Sequence, residues 1–147
     1  MKKLTIKKSV FGILLLVLIS SCSQNSVFKS PALKVQGKWR YKSVQFRPFG
    51  SFVNKDITDQ FSNQTVEFNS DNSLSKVTLS DTLLGTWNIQ QNLDNESNGS
   101  QNLVTAITNS NGTVSLSTLT NLYIGSRKIK GYEYRGDGMY TYVMEKL

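Results

Sequence analysis

The chain has 147 residues and a formal net charge of +7, with no histidine and one cysteine, Cys22. These absences exclude Ser-His-Asp and Cys-His catalytic arrangements, His or Cys metal sites and an intrachain disulfide. No Gly-x-x-x-x-Gly-Lys phosphate loop occurs. The acidic residues fall at turns or, like Glu133, singly on predicted strands facing solvent. We therefore expect no enzyme, no metal and no cofactor.

Residues 1–21 have the three parts of an export signal, which are a basic start, an apolar run from Val10 to Ile19 and small residues at the end. The basic residues are Lys2, Lys3, Lys7 and Lys8. Because Cys22 follows directly, the segment resembles a bacterial lipoprotein signal. The resemblance implies cleavage before Cys22, acylation of its thiol and amine by groups such as palmitate, and a mature chain held to a membrane by lipid.

The charge of the mature chain is small. Four of the 17 basic residues leave with residues 1–21, so 13 basic residues face 10 acidic ones and the net charge is +3. Without clustering of Lys and Arg, this charge argues against a nucleic-acid partner. The apolar run is also much shorter than the roughly 20 residues that a transmembrane helix needs, so it is not expected to span the bilayer.

The mature chain is predicted to be a tether followed by one domain. Residues 22–34 carry the lipidated cysteine and a polar tether, and residues 35–147 form the domain. In the domain, short segments of alternating apolar and polar residues are separated by Asn, Asp, Ser and Gly, which is typical of β-strands. The predicted strands are residues 39–46, 64–69, 74–79, 83–89, 103–108, 113–119 continuing at 122–125, 128–134 and 139–146.

Three local features interrupt this pattern. The apolar phase changes within the first strand, which predicts a β-bulge near Lys42-Ser43. Asp56 is placed to cap one helical turn that ends at Phe61. Residues 91–101 are rich in Asn, Ser and Asp and are expected to form a mobile loop, whereas Asn109-Ser110-Asn111-Gly112 predicts a hairpin turn.

Eight short antiparallel strands are best closed into an up-and-down barrel, because closure removes the exposed sheet edges. A ninth strand would arise if residues 120–127 break in two. With eight strands, the interior is either filled by side chains or holds one small ligand.

Five short motifs follow one another along residues 35–147. They are Gly37-Lys38-Trp39, Asp56-Ile57-Thr58-Asp59-Gln60-Phe61, Phe68-Asn69-Ser70-Asp71, Gly85-Thr86-Trp87 and Glu145-Lys146-Leu147. Their order resembles the lipocalin-like domain lipoproteins of Gram-negative, Bacteroidetes-type bacteria. The resemblance implies a lipocalin-like barrel in which Trp39 closes one end and an arginine packs on it, with Arg127 and Arg135 as candidates. The Thr-Asp-Tyr element of animal lipocalins is absent.

The same resemblance bears on location. Surface-displayed lipoproteins of such bacteria often carry acidic residues directly after the lipidated cysteine, and here no acidic residue lies between Cys22 and Asp56. This favours a lipid anchor on the periplasmic face of the outer membrane. Asp81-Thr82-Leu83 resembles an O-glycosylation sequon of these bacteria, but three residues carry little information and an Asp at a turn is the simpler interpretation.

Four tyrosines near the end of the chain form the most suggestive cluster. A three-residue loop with a left-handed Gly138 would pair Tyr134 with Tyr140 and Tyr132 with Tyr142, so that all four rings share one face. Facing inward, the phenols would line a ligand site; facing outward, they would offer a surface to a protein partner. Cross-strand packing without a ligand is the third interpretation, and a two-residue loop would divide the rings between faces.

Two functions are therefore expected for the domain. The first is binding of a small apolar or amphipathic ligand inside the barrel. The second is interaction with an envelope protein by a barrel whose interior is filled. The residues expected at the interior or the ligand site are Trp39, Val66, Phe68, Trp87, Tyr132, Tyr134, Tyr140 and Tyr142.

Overall fold

A computed structural model describes residues 30–91 and 100–147. The predicted signal peptide, Cys22 and most of the tether and of the predicted mobile loop lie outside the described residues. Within the described residues, no helix is long and apolar enough to cross a bilayer.

The described residues form one short helix and nine strands. Their bounds are α1 Pro31–Val35, β1 Gly37–Pro48, β2 Lys55–Asp56, a 3-10 helix Thr58–Phe61, β3 Thr65–Phe68, β4 Ser73–Val77, β5 Thr82–Gln91, β6 Gln101–Thr108, β7 Val114–Ile124, β8 Lys128–Arg135 and β9 Gly138–Lys146.

The strands close into a ring of eight. Each barrel strand pairs antiparallel with the next along the chain, and β1 also pairs with β9 from Trp39 opposite Lys146 to Pro48 opposite Gly138. The two-residue β2 lies outside the ring and pairs with the second half of β1, at Gln45 and Phe46. The predicted eight-stranded up-and-down barrel is confirmed.

The predicted bulge in the first strand is confirmed. The register of β1 against β9 shifts between Tyr41 and Ser43. An extra residue at this point resets the two-residue alternation, so Trp39 and Val44 can both be fully buried although they are five positions apart. The bulge therefore keeps both halves of this long strand apolar on the inside.

A second irregularity lies in β7. Its register against β8 shifts between Thr120 and Tyr123, and Asn121 has a left-handed backbone with φ of +48°. The strand nevertheless continues to Ile124, so this region does not break into two barrel strands.

One end of the barrel, here called the closed end, is sealed by α1 and the two tryptophans. Val35 of α1 and Trp39 are both fully buried, and Trp39 Nε1 donates a hydrogen bond to the Val35 carbonyl over 2.6 Å. Trp87 Nε1 donates to the Asn69 carbonyl over 3.0 Å, and its ring lies edge-on to Phe68. Each indole thus buries its apolar area while its one donor is satisfied.

Candidate ligand cavity

The barrel encloses a cavity of about 660 Å³, here called the barrel cavity. Its deeper wall is apolar and includes Leu74, Leu103 and Met144. It extends to the opposite end of the barrel, the open end, which carries the β4–β5, β6–β7 and β8–β9 turns; Asn109 and Arg135 line it there. Sites for small organic molecules typically measure roughly 300–1,000 Å³, so the barrel cavity has the size of a ligand site.

Six of the eight predicted interior residues divide into three groups. Val66, Phe68 and Tyr142 are buried and line the barrel cavity. The two tryptophans are buried at the closed end, and neither lines the barrel cavity. Tyr140 is half-buried and packs on Phe46, with ring centroids 4.8 Å apart.

The prediction for the β8–β9 hairpin is wrong. Arg135 pairs with Gly138, so the loop has two residues and Gly138 opens β9. Tyr134 then pairs with Met139 and Tyr132 with Thr141. A slip of one residue turns every side chain to the other face of a strand, so the four tyrosines do not share one.

The consequences of this register differ between the two β8 tyrosines. Tyr132 is half-buried on the outward phase of the strand, where the Lys130 ammonium lies 5.5 Å from its ring centroid. Tyr134 is on the same phase and is exposed, although it reaches the edge of the barrel cavity at the open end.

The same register brings Glu133 inside, against the prediction that it faces solvent. Its side chain lines the barrel cavity, and the residue is only 5% exposed. Glu133 pairs with Tyr140 across β8 and β9 and therefore shares the inner face with Tyr142. A buried carboxylate needs partners to offset the loss of hydration.

Arg135 and Tyr142 supply those partners. Glu133 Oε2 accepts hydrogen bonds from Arg135 Nη2 over 2.7 Å and from the Tyr142 hydroxyl over 3.0 Å. Arg135 Nη2 also donates to the Tyr142 oxygen over 2.9 Å, and the guanidinium lies over the Tyr140 ring at 4.5 Å. We call Glu133, Arg135 and Tyr142 the polar cluster.

Two further polar side chains, Tyr41 on β1 and Lys76 on β4, face the polar cluster from other strands. Burial, followed by the charge on Glu133, raises the pKa of Tyr41 to about 12, and the same two causes raise the pKa of Tyr142. Burial, followed by the charge on Arg135, lowers the pKa of Lys76. Both phenols are therefore neutral donors at neutral pH.

Lys76 was missed by the sequence reasoning. It lies two residues after the fully buried Leu74 on β4, and its neighbours across the sheet are Val66 on β3 and Leu83 on β5, both of which line the barrel cavity. The available signal was its position on the same strand phase as Leu74. A lysine on that phase must enter the interior once the ring closes.

The cation that packs on Trp39 is a lysine and not the arginine that the resemblance implied. The Lys146 ammonium lies 5.3 Å from the Trp39 ring centroid and donates to the Gln36 carbonyl over 2.5 Å. Arg135 belongs to the polar cluster at the other end of the barrel. Lys146, rather than Arg127 or Arg135, therefore takes this position, and it comes from the Glu145-Lys146-Leu147 motif.

Exposed apolar side chains surround the open end, and we call them the apolar rim. They come from the β1–β2 connection, the β4–β5 turn and the β6–β7 hairpin. The residues are Phe49, Phe52, Val53, Leu79, Val114 and Leu116. Phe52 is 99% exposed, and apolar groups gathered in one region often mark a contact surface.

Among the described residues, no group of three or more acidic or cysteine side chains could hold a metal ion. Comparisons of the chain with protein-family models, with curated proteins and with solved structures find no match. Inference about function therefore rests on the barrel cavity, the polar cluster and the sequence motifs.

Proposed function

We propose that this chain is a membrane-anchored lipoprotein whose barrel binds one small amphipathic molecule. The observation that carries the proposal is the barrel cavity of about 660 Å³, with an apolar interior and polar side chains on one wall. Burial of an apolar ligand surface contributes about 25 cal/mol per Å², while a few fixed polar groups orient the molecule. This combination fits a molecule with an apolar body and one polar group.

The test of binding uses the mature chain with Cys22→Ser, purified without detergent, and the neutral fluorescent probe N-phenyl-1-naphthylamine. Thr105 is buried and lines the barrel cavity, whereas Asn88 is exposed on β5. Thr105→Trp should occupy part of the cavity and weaken the binding of the probe, while Asn88→Trp should leave it unchanged. An affinity for the probe that is the same in folded Thr105→Trp as in the wild type would place the probe elsewhere and contradict the proposal.

The anchor is tested separately. The signal pattern and Cys22 support attachment of lipid to the mature chain and a position on the periplasmic face of the outer membrane. Labelling with radioactive palmitate should mark the wild-type protein in the membrane fraction. Cys22→Ser should lose the label and move to the soluble fraction, and an unlabelled wild-type protein would refute the anchor.

The apolar rim favours a second candidate function, which is contact with an envelope protein. The cavity counts against the filled interior expected for that function, but rim and cavity are compatible with each other. Replacing Phe52 and Leu79 by Ser should abolish cross-linking to one stoichiometric partner if the rim is a protein interface. Unchanged cross-linking in this double variant would exclude the rim from that role.

A further inference from the structure

We propose that the ligand of the barrel cavity carries one carboxylate group and that Lys76 is the residue that pairs with it. This inference rests on the proposed ligand-binding function and specifies the class of ligand. Three observations support it: the balance of charge around the cavity, the position of Lys76, and the way in which the other cation is already paired.

Among the described residues that line the barrel cavity, positive charges outnumber negative charges by one. In residues 30–91 and 100–147, the ionised side chains that line the barrel cavity are Lys76, Arg135 and Glu133. Glu133 and Arg135 form an ion pair of 2.7 Å. Within the described residues, Lys76 has no carboxylate within ion-pair distance, and the wall therefore carries a net charge of +1. A partly desolvated ammonium without a counter-charge is unfavourable, and one ligand carboxylate would offset it.

The position of Lys76 separates the two ends of such a ligand. Lys76 lies two residues closer to the open end than Leu74, between Val66 and Leu83 on the adjacent strands. Its ammonium lies 6.0 Å from the centroid of the Tyr41 ring. A carboxylate bound there would direct its apolar chain past Leu74 into the deeper, apolar part of the barrel cavity.

The polar cluster holds the other cation, Arg135, in place, and the charge of Lys76 remains without a counter-charge from the described residues. The Arg135 guanidinium is held by Glu133, by the Tyr142 oxygen and by stacking on Tyr140. It is a positioning residue that keeps the Glu133 carboxylate occupied, so that Glu133 does not pair with Lys76. The single excess charge matches a monocarboxylate better than a phosphate, whose second charge would meet Glu133.

The experiment measures binding of decanoate and of decan-1-ol to the mature Cys22→Ser chain by calorimetry at pH 7. The two probes share a chain length and differ in the headgroup. Decanoate should bind at least about tenfold more tightly than decanol, which is the range of a charge-assisted hydrogen bond. Lys76→Met should remove this preference and retain the affinity for decanol, which shows that the variant is folded.

Two further variants act as controls. Lys76→Arg keeps a cation at this position and should retain a preference for decanoate. Lys128 is an exposed lysine at the closed-end start of β8, and Lys128→Met should behave like the wild type. Loss of the preference in Lys128→Met would assign it to the overall charge and overturn the role of Lys76.

The remaining outcomes separate this inference from the proposed function. Equal affinities of the wild type for decanoate and decanol would refute the carboxylate and leave a neutral-ligand barrel standing. Tighter binding of decyl phosphate or of decyltrimethylammonium would likewise overturn it. Failure of both decyl probes together with the neutral naphthylamine probe would refute ligand binding itself, and the carboxylate inference with it.

Discussion

Glu133 shows at the scale of a single residue how the interior of the barrel combines charge with burial. A single oxygen of Glu133, Oε2, accepts hydrogen bonds from Arg135 on β8 and from Tyr142 on β9 and so links these two strands. A buried pair of this kind is not strongly stabilising relative to apolar residues, but it is costly to break, because the remaining partner is left without its counter-charge. The polar cluster therefore fixes the positions of these side chains more than it adds stability.

Glu133→Ala should lower the free energy of unfolding by about 2 kcal/mol, because the Arg135 guanidinium and the Tyr142 hydroxyl both lose an acceptor. Glu133→Gln should cost less, since its amide oxygen can still accept. Urea denaturation measures both, with Glu67→Ala on the exposed face of β3 as the control. An effect of Glu133→Ala no larger than that of Glu67→Ala would show that the polar cluster does not hold these strands.

Tyr41 makes stability depend on pH in the alkaline range. Its pKa is raised from 10.0 to about 12 in the folded protein. Between these two values the unfolded chain loses the phenolic proton and the folded chain keeps it, so stability falls as pH rises. The raised pKa of Tyr142 acts in the same direction.

Tyr41→Phe should therefore reduce the fall in the urea midpoint between pH 9 and pH 11. Tyr123 is 61% exposed on β7, and Tyr123→Phe should leave the fall as it is in the wild type. Absorbance at 295 nm, which follows tyrosinate, gives an independent measurement. A wild-type protein whose tyrosines all ionise together near pH 10 would contradict the burial of Tyr41.

At the scale of elements, two turns at opposite ends of the barrel have the same construction. In the β6–β7 turn, the Asn109 amide donates to the Thr113 hydroxyl, and the left-handed residue is Gly112, with φ of +81°. In the β3–β4 turn, Asn69 donates to Ser73 in the same way, and Asn72 is left-handed. The predicted hairpin at residues 109–112 is confirmed, and its chemistry appears twice in the chain.

Gly112→Ala should destabilise the protein by about 1 kcal/mol, because a left-handed backbone brings Cβ close to the following carbonyl oxygen. Gly136 is the matched control, since a Cβ at either glycine meets no atom within 4 Å and only Gly112 has a left-handed φ. Gly136→Ala should be neutral or slightly stabilising. Equal thermal midpoints for the two variants would show that backbone conformation at Gly112 has no cost.

Sequence periodicity predicted the elements well and failed at one register. The alternation around Trp39 and Val66, and even the bulge near Lys42-Ser43, depend on local spacing that can be counted directly. The register of the β8–β9 hairpin depends on whether its loop has two or three residues. With two residues in the loop, Glu133 is buried and pairs with Arg135, and such a contact between side chains cannot be recognised from a pattern of polarity.

The candidate site was predictable only in its apolar part for the same reason. Phe68 and Tyr142 stand out as large side chains at inward positions. Lys76 lies in β4, Ser73–Val77, whose polar residues Ser73, Ser75 and Lys76 would all be expected to face solvent. Only its strand phase, which it shares with Leu74, indicates that it enters the barrel cavity once the ring closes and the inner face of every strand loses access to bulk water.

At the scale of the whole molecule, stability depends on a segment outside the ring of strands. The helix α1 covers the closed end, and Val35 supplies both a fully buried side chain and the carbonyl that accepts from Trp39. The Gln36 carbonyl in turn accepts from Lys146. Residues 31–34, which the sequence assigned to the tether, thus belong to α1, and Val35 directly after them is part of the core.

A chain that begins at Gly37 should lose about 3 kcal/mol of unfolding free energy, because it lacks Val35 and leaves the Trp39 indole donor without its acceptor. A chain that begins at Ser30 retains α1 with its Ser30 cap and is the control. Urea denaturation of the two chains measures the difference. Equal stabilities would show that α1 merely rests on the barrel.

The seam between β1 and β9 has a consequence for synthesis and folding. On one border β1 pairs with β3 from Gly37 to Arg40, and its other border pairs with β9, with Trp39 opposite Lys146 and Pro48 opposite Gly138. A chain that stops before residue 138 lacks β9, so its ring cannot close and one border of β1 has no partner strand. A pairing between strands this far apart in the sequence forms slowly and leaves unpaired strand borders exposed until it does, which favours aggregation during folding.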